Sequence, residues 1–319
     1  MPFDGQPPGR RTPAPIAVIG APSSIGIRPY DDGTARGLDQ APGVFRELRL
    51  LERLGAEDRG DVRPPPYRDF EFARGSPRNE PEVAEYSRAL AERVAVEVRT
   101  GRFPLVLGGD CSTVLGSLLG LRDRAPVGLA YVDGHCDFAL PSFSTTGSVA
   151  GMALAFAVGR GDGPLVRLAG PEPLVQESDT VVIGRRDEFE EPFYGRHSVR
   201  YSDILDIPCE RIAREGVAEA AASALERLAR SGLAGFWIHL DADTLDPAVM
   251  PAVDSPDPGG MRLDELGELV GKLARHPKSL GLNLTIYDPV LDPDRSCARR
   301  LVELLARALG PSSVSAPRG

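Results

Sequence analysis

Three short segments concentrate the side chains that bind metal ions. Asp110 and Cys111 follow two glycines in GGDCS (108–112), Asp133, His135, Cys136 and Asp137 lie in DGHCD (133–137), and Asp241 and Asp243 lie in LDADTLDP (240–247). Asp133, His135 and Asp137 stand at i, i+2 and i+4, and Asp241 and Asp243 at i and i+2. In extended backbone such side chains share one face. Gathered together, these carboxylates would repel one another and raise their own pKa values. Divalent cations are the natural compensation, and two of them sharing bridging carboxylates are set up to activate a water. A lone Asp-x-Asp is more often a turn or cap. It is the coincidence of both patterns at the ends of apolar runs that points to a metal site. Asp110, oriented opposite to Cys111, reads as a capping group rather than a ligand, and Cys136 should face away from His135.

The elements that position these segments are legible as alternating patterns. Apolar runs of strand length cover 16–21, 104–107, 127–132, 180–183, 235–240 and 280–287. Their continuity fits strands covered on both faces. Apolar residues at three- and four-residue spacing predict helices over 44–54, 81–99, 112–122, 217–230, 263–274 and 297–309. Strand followed by helix, repeated, implies right-handed crossovers and a mostly parallel sheet, doubly wound with helices on both faces. No linker interrupts the alternation, so a single α/β domain is expected over 14–319, after a Pro-rich flexible lead-in at 1–13. In such sheets ligands bind beyond the carboxyl ends of the strands, where the three segments fall.

Composition narrows the function classes. The 319 residues carry 37 Lys+Arg against 46 Asp+Glu, a formal net charge of -9. That balance disfavours nucleic acid and anionic membrane surfaces as partners. No apolar run is long enough to span a bilayer, and the first residues lack the apolar core of a secretory signal. Four sparse cysteines (Cys111, Cys136, Cys209 and Cys297) suit a reducing compartment, so a cytoplasmic location is expected.

The three segments resemble the signature motifs of the ureohydrolase superfamily, which contains arginases, agmatinases and formiminoglutamases. RGLDQAPGVFREL (36–48) and YDPVLDP (287–293) extend the likeness over nearly the whole chain. The resemblance implies an arginase-like α/β fold and a binuclear manganese site. It also implies a metal-bridging hydroxide that attacks an amidine-type or guanidinium carbon of a small molecule. Carried over by position, Asp133 and Asp241 would bridge the metals, Asp137 would bind the first, and His135 and Asp243 the second. Asp137 would partner the hydroxide and Asp243 the leaving group. The family also implies a homo-oligomer, trimeric or hexameric.

Departures from the family pattern shape the remaining expectations. Cys111 stands where the family supplies a histidine ligand. A thiolate can take that place, but it is softer and tilts preference from manganese toward zinc or iron. Ile286 occupies the position of a glutamate that pairs with the guanidinium, Ala150 that of a histidine proton shuttle, and Ser148 that of an asparagine holding an amino-acid head group. Hydrolysis of a linear C–N bond in a guanidino-, formimino- or hydroxyguanidino-type molecule is therefore expected, and cleavage of free arginine is not. Asn283 and Asp288 lie near the same strand end with no assigned direction. Arg185, Arg186, Asp187 and Glu188 read as a solvated charged loop, with a pocket-mouth role for the arginines as the rival. His197 and His276 read as surface or structural residues, and Trp237 and His239 as core. The rival function is a binding or regulatory subunit without turnover, which the altered residues favour and the retained ligands oppose.

Overall fold

Continuous apolar runs become the inner strands of one sheet. The computed structural model describes residues 14–68, 73, 75–187 and 197–310, so the lead-in expected at 1–13 lies outside the described residues. The strands are β1 (Ile16–Gly20), β2 (Glu57–Asp61), β3 (Phe103–Leu107), β4 (Gly128–Val132), β5 (Thr180–Ile183), β6 (Leu205–Ile207), β7 (Phe236–Asp241) and β8 (Ser279–Thr285). They form an eight-stranded sheet in the order β2-β1-β3-β8-β7-β4-β5-β6, and every pairing is parallel. β3, β4 and β7 are buried along their whole length. The two strands that the sequence pattern missed are the sheet's edges. β2 reads EDRGD and is largely exposed, and β6 has only three residues, so neither carries a long apolar run.

The described helices are α1 (Ala41–Glu47), α2 (Leu50–Leu54), α3 (Glu80–Arg99), α4 (Thr113–Leu119), α5 (Ala153–Ala157), α6 (Cys209–Glu215), α7 (Val217–Leu228), α8 (Leu263–Ala274) and α9 (Ser296–Leu309). They pack in two groups, α3 with α4 and α5, and α9 with α1, α2, α8, α7 and α6. β8 touches α4 from one group and α8 from the other, so the sheet is covered on both faces, as the sequence implied. One expected helix is two. The run 44–54 breaks at Arg49, whose φ of 60° is left-handed and cannot continue a right-handed helix.

The path of the chain creates the site. From β3 it passes through α4 to β4 and skips two positions, which β8 and β7 fill later. The strand order reverses there, and a crevice opens at the carboxyl ends of β3, β8, β7 and β4. The turn leaving β3 depends on Gly109, whose φ is 88° and whose missing Cβ would stand 2.9 Å from the Ala21 carbonyl oxygen. That close approach sets the direction in which Cys111 leaves the strand.

Candidate metal centre

Cys111 follows β3, Asp133 to Asp137 follow β4, and Asp241 and Asp243 sit at the end of β7. The structure brings all six expected donors to one crevice, although not through extended backbone. Asp137 has a left-handed φ of 46°, and Asp243 lies in a single 3-10 turn capped by Asp241. Both chains curl inward after their strands, so turns achieve the convergence that strand alternation was expected to give.

Two donor groups meet within 4.8 Å, and Asp133 belongs to both. One comprises Cys111, Asp133, Asp137 and His239, and the other Asp133, His135 and Asp243. Asp241 closes the gap between them. Its Oδ1 accepts the Asp243 backbone N–H at 2.7 Å, and its Oδ2 accepts from the Cys111 thiol at 3.2 Å and the Thr285 hydroxyl at 3.1 Å. His135 Nδ1 lies 2.9 Å from Asp243 Oδ2, and its Nε2 lies 3.1 Å from Asp257 Oδ2. The Tyr131 hydroxyl donates to Asp137 Oδ2 at 2.5 Å.

Charge in the crevice is unbalanced. Among the described residues, none of Asp133, Asp137, Asp241 and Asp243 pairs with a lysine or arginine. Burial, reinforced by mutual repulsion, pushes Asp133 and Asp241 well above the usual carboxylate range. Burial raises Asp137 to about 7, against the opposing pull of the Tyr131 hydroxyl. Burial works against Asp243 ionising too, but the attraction and hydrogen bond of His135 bring it down to about 2. Burial also disfavours charged His135, yet Asp243 and Asp257 raise its pKa well above the ordinary value. The Cys111 thiol is pushed up by burial and by four neighbouring carboxylates, so it holds its proton unless a cation is present. Oδ2 of Asp133 and Nε2 of His239 are buried without a hydrogen-bond partner. This donor set fits a pair of divalent cations: it has oxygen, nitrogen and sulfur ligands, excess negative charge and, in Asp133 Oδ2, a buried carboxylate oxygen without a partner.

Several neighbouring expectations resolve differently. Arg185 and Arg186 form neither a solvated loop nor a pocket mouth. Arg185 is buried between Asp206, at 2.6 Å, and Asp187, at 3.1 Å. Arg186 donates to the backbone carbonyls of Asp243 and Asp257. Short, well-directed donors hold both in place, and burial encloses Arg185, which their charge alone did not reveal. Glu188 lies outside the described residues. Asp110 is fully buried and accepts from the Gly26 and Ser112 backbone N–H groups, a supporting role. Asp288 accepts from the Tyr30 hydroxyl and the Gly37 backbone N–H, while Asn283 turns to Trp237 and His239. Sequence reasoning gave Asp257 and Tyr131 no role. Nothing in their spacing marks them, because they reach the site from a loop and from inside a strand.

The crevice opens into a cleft of about 630 Å³, lined by Cys111, Asp133, His135, Asp137 and Asp243 and also by Ser148, Ala150 and Ile286. The three substituted positions therefore share one cavity with five of the six donors. Ile286 holds a φ of 65°, a left-handed conformation that a β-branched residue adopts only under strain.

Comparison with known proteins agrees with this geometry. The model of the Arginase family matches residues 14–310. This chain belongs to that family. It is 30% identical over 308 residues to the arginase of Bacillus caldovelox, covering 93% of this chain and 98% of that one. It is also 30% identical to the Bacillus subtilis arginase over 303 residues, covering 92% and 97%. The native structure of the Bacillus caldovelox arginase superposes with a TM-score of 0.82, covering 94% of this chain and 99% of that chain. Formimidoylglutamase from Bacillus subtilis, at 19% identity and a TM-score of 0.68, shares the fold over 94% of this chain and 87% of its own. The family consists of hydrolases acting on guanidino or amidino C–N bonds at a binuclear metal centre. Among the described residues, no helix is long and apolar enough to cross a membrane.

Proposed function

We propose that this arginase-family chain hydrolyses the C–N bond of a linear guanidino-, formimino- or hydroxyguanidino-type small molecule other than free arginine. The observation that carries the reading is the shared cleft. It joins Asp133, Asp137 and Asp243, with Cys111 and His135, to an isoleucine at the place where a carboxylate would meet a guanidinium. A carboxylate paired with that cation contributes roughly 1.5–3 kcal/mol. Ile286 offers none of this and leaves a full charge desolvated, so a less basic amidine suits the cleft.

Asp133 and Asp241 would be shared between two divalent cations, Cys111 and Asp137 would complete one position, and His135 and Asp243 the other. Manganese follows from the family, and the Cys111 sulfur shifts preference toward zinc or iron. Bound there, the pair would supply Lewis-acid activation of a water for attack on the amidine carbon. The chain's own groups handle the proton and the substrate. Asp137 Oδ2 is held by the Tyr131 hydroxyl, which leaves its other oxygen to accept a proton from an attacking water. Asp243, steadied by the Gly134 N–H at 3.1 Å, would assist the departing amine. A homo-oligomer and a cytoplasmic setting accompany the family reading.

The test is a panel of guanidino, formimino and hydroxyguanidino compounds assayed with the purified, metal-loaded chain. Turnover of at least one of them, with arginine poor, is expected. Arginine as the best substrate would overturn the choice, and no turnover of any would favour a binding or regulatory role.

A further inference from the structure

Behind Asp133 lies a buried chain of hydrogen bonds that begins at a group with only one way to bond. The Trp237 indole can donate but not accept. Its Nε1–H reaches Asn283 Oδ1 at 2.7 Å, which fixes the orientation of the Asn283 amide. The other end of that amide, the NH2 group, therefore faces His239, and Nδ2 lies 2.8 Å from His239 Nδ1. Nδ1 must accept, so the neutral imidazole carries its proton on Nε2.

The fold holds this arrangement closely. Trp237 and His239 are two residues apart on β7 and share a face, while Asn283 stands opposite His239 in the β7–β8 register. Gly281 leaves room for the indole, since a Cβ there would lie 2.2 Å from the Trp237 ring. The His239 imidazole stacks on Tyr131 with ring centroids 4.1 Å apart. Trp237, His239 and Asn283 are all fully buried. At the end of the chain, His239 Nε2 lies 3.5 Å from Asp133 Oδ2, and neither atom has a hydrogen-bond partner. The other Asp133 oxygen already accepts the His135 backbone N–H at 2.8 Å.

We propose that His239 is a positioning residue: its Nε2–H, set by Trp237 and Asn283, steers Oδ2 of Asp133, the carboxylate common to both donor groups. It stands among the donors without being a ligand, because the nitrogen that faces the crevice carries a proton and has no lone pair to give. Tyr131 does the same for Asp137, so two stacked rings orient two of the four carboxylates. This inference rests on the metal-centre reading above.

Two measurements on the full chain test it. Nitrogen-15 NMR of the histidine-labelled, metal-free protein should show an Nε2–H tautomer for the signal that disappears in His239→Gln. Asn283→Asp, which can only accept, should move that proton to Nδ1. Calorimetric titration with Mn2+ should show two ions per wild-type chain. His239→Leu should weaken binding about 10- to 100-fold with both ions still bound. His239→Gln, whose amide N–H can take the place of Nε2–H, should restore affinity, and Asn283→Asp should weaken it. If His239→Leu does not fold, His239→Gln and Asn283→Asp still decide the matter. An Nδ1–H tautomer in the wild type would overturn the proposal. So would loss of one ion in His239→Gln, or tighter binding in Asn283→Asp, either of which would make His239 a ligand. Unchanged affinity in all variants beside a normal wild type would refute the positioning role alone, whereas a wild type that binds none of Mn2+, Zn2+ and Fe2+ would remove the metal centre as well.

Discussion

The Cys111 thiol donates to Asp241 Oδ2 across 3.2 Å, joining the end of β3 to the end of β7 over the intervening strand β8. The contact places sulfur where the family has imidazole, directly against a carboxylate proposed to bridge two cations. A bound cation would displace the thiol proton and take the sulfur as a ligand. Cys111→His should therefore shift metal preference toward manganese. Competitive loading with manganese and zinc, read by elemental analysis, checks this; an unchanged ratio would leave Cys111 as an ordinary buried thiol.

Asp133 and Asp241 are central to the account, since each is proposed to serve both cations. Asp241→Ala should remove both metal and turnover. Asp133→Asn should do the same while preserving the side chain's shape, which separates loss of charge from loss of packing. Metal content and circular dichroism of each variant check the claim. Two metals retained in either variant would contradict it.

The raised pKa of Asp137 gives the metal-free protein a defined pH response. Its folded value is about 7 against an ordinary 3.8. The native state thus keeps a proton that the unfolded chain releases between about pH 4 and about pH 7, and stability from this group is present below that window and lost as pH rises through it. Thermal melts of chelator-treated protein should fall over this range, and Asp137→Asn should flatten the slope. Saturating Mn2+ should abolish the fall, because bound cations keep the carboxylate ionised. A wild-type slope identical to that of Asp137→Asn would show that Asp137 does not titrate there.

Ile286 is the test of substrate choice. Ile286→Glu restores a carboxylate at the wall of the cleft, worth about 10- to 150-fold in kcat/KM toward arginine. The same change should lower turnover of a less basic substrate. Steady-state kinetics on both compounds check the pair of effects. No gain toward arginine would mean that this position does not face the reacting group.

How far the sequence could be read depended on how each residue acts. The inner strands and the donor segments were legible because burial on both faces writes a continuous apolar run, and ligands cluster at its end. β2 and β6 escaped notice because an edge strand needs no such run. Arg49 broke an expected helix through a backbone conformation that its residue type does not announce. Asp257, Tyr131 and the Trp237–Asn283–His239 chain lie on separate elements, and only the folded sheet brings them beside the donors. Arg185 and Arg186 were misjudged because charge predicts exposure unless partners arrive from elsewhere, as Asp206 and the loop at Asp257 do.

Elemental analysis of the freshly purified chain tests the central claim most directly. Two divalent metals per chain, lost together in Asp241→Ala, is the result the account predicts. Less than one metal per chain, persisting after incubation with manganese, zinc or iron, would contradict it.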